Sequence, residues 1–115
     1  MTIPEKILKT GEDDWVPLIV VVGLVRQQMP DAQEGSVIES TLRIIGELVN
    51  AGLMTIGDLS GPKGGFKSWR LSPTEALHRI RGEWLALNRP ISLGDVCWLA
   101  NTDEGNAKAA LLSSE

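Results

Sequence analysis

The stretch from Ser36 to Leu53 leaves this chain the least freedom. Ser36-Val37-Ile38-Glu39 has the form of a capping box, in which the hydroxyl of Ser36 and the carboxylate of Glu39 each satisfy an amide that the first helical turn leaves unpaired. Val37, Thr41, Ile44 and Leu48, with Ile38, Leu42, Ile45 and Val49, recur at three- and four-residue steps and make one broad apolar side. Gly52 supplies a left-handed stop, and Leu53 is placed to fold back over the last turn. The pattern predicts a helix over 36–51 that buries one side in a core, followed by a short strand over 53–56.

A second capping box, Ser72-Pro73-Thr74-Glu75, opens a helix over 73–88, with Pro73 at the first helical position. Its apolar residues Ala76, Leu77, Ile80, Trp84 and Leu87 share one side, and Asn88 to Pro90 ends it. Between strand and helix, Gly57 to Gly65 reads as loop, with Pro62-Lys63-Gly64-Gly65 as its tip. Residues 95–100 read as a returning strand, and Thr102-Asp103-Glu104 starts a terminal helix over 103–112. Near the start, Asp14 as N-cap and Pro17 in the first turn predict a helix over 14–28. The β-branched run Ile19 to Val22 suits a buried strand as well. These elements add up to an α+β chain, mainly α, and 115 residues are enough for one domain, 1–115. The apolar run Trp15 to Val25 contains Pro17 and stops at Arg26, short of the ~18–20 residues that cross a bilayer. Met1 to Thr10 carries Glu5, Lys6 and Lys9 and has no apolar export segment. With a single cysteine, Cys97, these features predict a reducing cytoplasm.

The order helix, capped helix, Gly-Leu-Met strand, insertion, returning strand, helix resembles the winged helix-turn-helix superfamily. Leu48-Val49-Asn50-Ala51-Gly52-Leu53-Met54 looks like the third winged-helix helix turning into the wing. Trp98-Leu99-Ala100-Asn101-Thr102-Asp103-Glu104-Gly105 looks like the exit from it. Two features depart from that pattern: Asn101 stands where the family usually has an apolar residue, and the helix over 73–88 is inserted within the wing. The chain is also similar to small bacterial winged-helix proteins, some of which accompany toxin genes.

The resemblance implies a DNA-reading helix at 36–51, yet its solvent side would present Glu39, Ser40, Arg43, Glu47 and Asn50. Two carboxylates aimed at a duplex, which carries one charge per ~1.7 Å of axis, oppose the term that supplies most of such binding. Residues 1–62 hold four Lys/Arg against nine Asp/Glu, a net of −5, and residues 90–115 hold one against four, a net of −3. The insertion over 63–89 holds six (Lys63, Lys67, Arg70, Arg79, Arg81, Arg89) against two (Glu75, Glu83), a net of +4. It is the segment that could touch nucleic acid, with Phe66 and Trp69 for stacking.

Catalytic constellations are missing from the pattern. His78 is the only histidine, so no Cys/His pair or metal cluster can be assembled around neighbours, and no cofactor is implied. Gly61-Pro62-Lys63-Gly64-Gly65 lacks the spacing of a phosphate loop. Cys97 reads as a buried structural thiol, and Trp84 and Trp98 as core. Trp69 beside Arg70 reads as an interface anchor or as a loop residue packed on the domain.

These readings predict a non-catalytic protein-binding module of the immunity or antitoxin type, occluding a basic intracellular nuclease toxin. Glu12, Asp13, Asp14, Glu39 and Glu47 would make the contact, with Trp69 and Arg70 on a second edge. The alternative is a winged-helix transcriptional regulator in which Arg43 and Asn50 read the groove while Lys63, Lys67 and Arg70 hold phosphates. A structural adaptor subunit is the third reading.

Overall fold

A computed structural model describes residues 1–112, the side chains of residues 62 and 63 excepted. It is an α+β structure, mainly helical, with one four-stranded antiparallel sheet. The first element is a helix that the sequence reading lacks, α1 (Ile3–Gly11). Thr2 Oγ1 accepts from the Glu5 N–H (3.2 Å) and the Glu5 carboxylate accepts from the Thr2 N–H (2.8 Å), a capping box completed by Pro4 in the first turn. Ile3, Ile7 and Leu8 bury a narrow stripe of this helix.

The helix expected over 14–28 starts later and without Asp14 as its cap. Val16–Pro17 is a strand, β1, and α2 runs Leu18–Gln28 behind it, with Pro17 itself as the N-cap. Proline pushes the residue before it into extended backbone, and the sheet takes advantage of that preference. α3 (Glu34–Asn50) begins two residues before Ser36, so Ser36 lies inside the first turn and its expected capping box does not form. Glu39 is thereby left to bond elsewhere. The far end is as expected: Gly52 has φ +75, its N–H bonds to the Val49 carbonyl and the Leu53 N–H to that of Leu48, both at 3.0 Å. That pair of bonds is the Schellman arrangement, which needs a left-handed residue.

β2 (Met54–Leu59) is longer than the expected 53–56, because it pairs with a strand the sequence reading took as loop, β3 (Phe66–Ser68). The turn between them carries α4 (Gly61–Gly64). α5 (Pro73–Ala86) opens on the Ser72–Glu75 capping box as expected and ends two residues before 88, ahead of a left-handed Asn88. β4 (Trp98–Asn101) replaces the expected 95–100, since residues 92–97 form turns held by Asp95. α6 (Asp103–Ala110) is capped by Thr102, which accepts from the Gly105 N–H (3.0 Å) and donates to the Gly52 carbonyl (2.6 Å).

The strand order is β1-β4-β2-β3. Val16 faces Leu99 and Leu99 faces Ile56, so these residues, with Met54, look inward onto α1, α2 and α3. There they meet Ile7, Leu18, Val21, Val25, Val37 and Ile45, all buried. α5 lies outside this layer and packs along α3 through Ala76, Ile80 and Trp84. No helix among the described residues is long and apolar enough to cross a membrane.

Candidate functional site

Side chains alternate across a strand, so residues between the inward ones belong to the opposite side of the sheet. Trp98 and Ala100 on β4, Gly57 and Leu59 on β2, and Phe66 on β3 occupy those positions. None of them belongs to the core cluster or packs against it. Trp98 is half-buried, so it is a residue of this outer face rather than of the core expected for it. Trp15, one residue before β1, is 39% exposed and stacks on Phe66, with ring centroids 6.4 Å apart and planes 26° from parallel. Glycine is required at 57, because a Cβ there would collide with the Lys67 carbonyl and lie 2.8 Å from Phe66 Cζ. The outer face therefore carries an aromatic pair whose Phe66 ring lies against Gly57, where β2 has no side chain.

Directly beside Trp15, the turn after α1 exposes Glu12, Asp13 and Asp14. Glu12 pairs with Lys9 (2.9 Å), and Asp14 accepts from the Trp15 N–H (2.8 Å). Among the described residues no cation pairs with Asp13 or Asp14. The three acids and Trp15 line a cleft of about 370 Å³ together with Ala100 and Asn101. Asn101 donates to the Leu8 carbonyl near the end of α1 (2.9 Å) and to Asn106 Oδ1 (3.0 Å). Its amide N–H groups thus serve that helix end and Asn106, while its Oδ1 is buried with no hydrogen-bond partner among the described residues.

Glu39 and Glu47 do not join this cluster. Glu39 accepts two bonds from Arg81 of α5, at 2.6 and 3.2 Å, which hold its carboxyl below the ordinary glutamate value and push the Arg81 guanidinium up. Glu47 pairs with Arg43 (3.2 Å), and Asn50 donates to the Gly46 carbonyl (2.8 Å). The two residues expected to read DNA are thus engaged along α3 itself. α5 covers part of the same helix, leaving a cleft of about 730 Å³ floored by Leu42 and Leu77.

Trp69 is half-buried: its indole N–H donates to Asp58 (2.9 Å), and Arg79 lies 3.8 Å over its ring. Arg79 also pairs with Glu83 (2.6 Å). Arg81 and Arg89 are likewise tied, to Glu39 and Asp95, so half of the basic excess of the insertion is neutralised internally. Lys67 is exposed and stands opposite Asp58 in register, and Arg70 is exposed with φ +57. The side chain of Lys63 lies outside the described residues. Cys97 is 0% exposed, and burial pushes its thiol pKa far up, which makes it a poor nucleophile. His78 is exposed on α5, at the edge of the α3–α5 cleft.

Sequence reasoning overlooked Trp15 as a surface residue, although the alternation Trp15 out, Val16 in was present as a signal. Reading 14–28 as one helix hid it. No protein-family model matches the chain, and neither the curated proteins nor the solved structures contain a significant match to it.

Proposed function

We propose that this chain is a non-catalytic protein-binding module of the immunity or antitoxin type, which neutralises a basic cytoplasmic toxin, a nuclease in the sharpest form of the reading, by covering its cationic site. The observation that carries the reading is the turn Glu12–Asp14, three exposed carboxylates beside the exposed Trp15. A nuclease cleft attracts phosphate by positive potential, so an acidic loop with an apolar anchor competes for it and speeds encounter. Glu39 and Glu47 take a smaller part, since each is occupied by an arginine of the same chain.

The topology supports a winged-helix relationship: three helices, with β1 between the first two, precede β2, and β4 returns between β1 and β2. Within that scheme α3 would be the reading helix, and α5 packs on it. This favours protein binding over the regulator reading. The exposed Lys67 and Arg70 on the hairpin are what keep duplex binding as a second reading.

Capture from native lysate before and after nuclease treatment tests it, with the Asp13→Lys/Asp14→Lys variant alongside. A single near-stoichiometric protein, retained after nuclease treatment and lost on charge reversal, is the expected result. Discrete DNA fragments released by salt would replace this reading with the regulator.

A further inference from the structure

The outer sheet face and the acidic turn form one continuous surface, because Trp15 and Ala100 belong to both. We infer that this surface docks an arginine-bearing segment of a protein partner, a guanidinium stacking on the Trp15–Phe66 pair while Asp13 and Asp14 accept its N–H groups. The inference rests on the protein-binding reading above and names the chemistry that reading leaves open.

Three observations carry it. The first is charge: among the described residues, the charged side chains that line the cleft are the carboxylates Glu12, Asp13 and Asp14, and only Glu12 has a cation, Lys9. The second is planarity. An exposed indole stacked at 26° on a phenyl ring offers a broad π-face, and a guanidinium is the cation that can both stack there and present several donors in a fixed fork to carboxylates. An ammonium is a compact charge and does the first less well. The third is that the chain builds the same arrangement within itself: Arg79 lies 3.8 Å over Trp69 with Asp58 and Glu83 at hand. Trp15 and its acids repeat the indole and the carboxylates with the cation left to a partner.

Single-stranded nucleic acid also stacks on aromatic sheet faces, but it needs cations along the same face. Lys67 follows Phe66 directly on β3 and therefore alternates to the opposite side, where it stands in register with Asp58. The acidic turn borders the aromatic face instead.

The test is titration of the whole chain with hexa-arginine, hexa-lysine and an oligo-dT strand, read by the indole N–H signals of Trp15, Trp69, Trp84 and Trp98 in NMR. Hexa-arginine should move the Trp15 signal and bind about threefold or more tighter than hexa-lysine, the range a cation–π contact of about 0.5–1 kcal/mol supplies. Trp15→Ala and Asp13→Asn/Asp14→Asn should each weaken it by a similar factor, with the buried Trp84 signal unmoved as proof of folding. Equal binding by Trp15→Ala, perturbation at Trp69 instead of Trp15, or preference for oligo-dT would each overturn the inference. A protein partner captured equally well by Trp15→Ala would sink this surface and leave the module reading standing. Arginine binding at Trp15 with no protein partner in any lysate would do the reverse.

Discussion

Arg81 of α5 holds the carboxylate of Glu39 on α3 with both Nε and Nη2, a two-pronged contact between residues 42 positions apart. It ties the inserted helix to the helix beneath it. Glu39 has its pKa lowered chiefly by that hydrogen bond, Glu75 and Glu5 by their capping serine and threonine, and Asp95 by Arg89 and Ser92. All four are depressed in the folded state, so each contributes stability that is present above the ordinary carboxyl range and lost as pH falls through the folded value. Urea midpoints should therefore hold near neutral pH and drop progressively below about pH 4.5. Glu39→Gln should show a smaller drop than the wild type, and an unchanged acid limb in that variant would mean the Arg81 contact is not populated in solution.

Gly46 lies mid-helix in α3, where glycine costs about 1 kcal/mol relative to alanine. A Cβ at 46 would sit 3.1 Å from Leu77 Cδ1, so a larger side chain there presses on α5. Gly23 on the exposed side of α2 meets nothing within 4 Å. Gly23→Ala should stabilise by roughly 0.5–1 kcal/mol, and Gly46→Val should destabilise by about 1–3 kcal/mol through overpacking. Chemical denaturation of the two variants measures both signs, and a stabilising Gly46→Val would show that α5 is not seated as described.

Local chemistry was legible where it acts alone. The Ser72–Glu75 box and the Gly52 stop need only their own neighbours, and both are in place. The Ser36–Glu39 box has the same form and is not used, because α3 gains a further half-turn through Glu34 and Gly35 and Glu39 gains Arg81. Pairing across the sheet, a contact between distant residues, decided the rest: Val16–Pro17 became strand by meeting Trp98 and Leu99, and Phe66–Ser68 by meeting Gly57 to Leu59. The candidate surface was half visible for the same reason. Its carboxylates stand in a row in the sequence, whereas Phe66 reaches Trp15 only once the sheet exists.

Val96 has φ +69, a conformation that β-branched residues rarely take, in a three-residue turn closed by the Cys97 N–H on the Asp95 carbonyl (2.8 Å). Arg89, Ser92 and Asp95 brace the loop around it. Such backbone costs on the order of 1–3 kcal/mol. Val96→Gly removes that strain and gives up a half-buried side chain that contributes roughly 1 kcal/mol, so the variant should be neutral to modestly more stable. A thermal melt decides the sign. A loss of about 2 kcal/mol or more would mean that the valine side chain matters more to the core than its partial burial suggests.

The four tryptophans divide by layer, and their truncation should follow that division. Trp84 is 4% exposed and belongs to the core cluster, so Trp84→Ala should cost about 3–5 kcal/mol. Trp15 stacks on Phe66 outside that cluster, where loss of a surface aromatic contact is worth on the order of 1 kcal/mol. Trp98, half-buried on the same face, should fall between the two. If the outer face is a docking surface, apolar area there is kept at little cost or gain to folding, and Trp15→Ala should leave the denaturation midpoint nearly in place while weakening arginine-peptide binding about threefold or more. Urea titrations of the three alanine variants, beside the peptide titration, separate the two roles. A Trp15→Ala loss matching that of Trp84→Ala would return the aromatic pair to the fold and take it away from recognition.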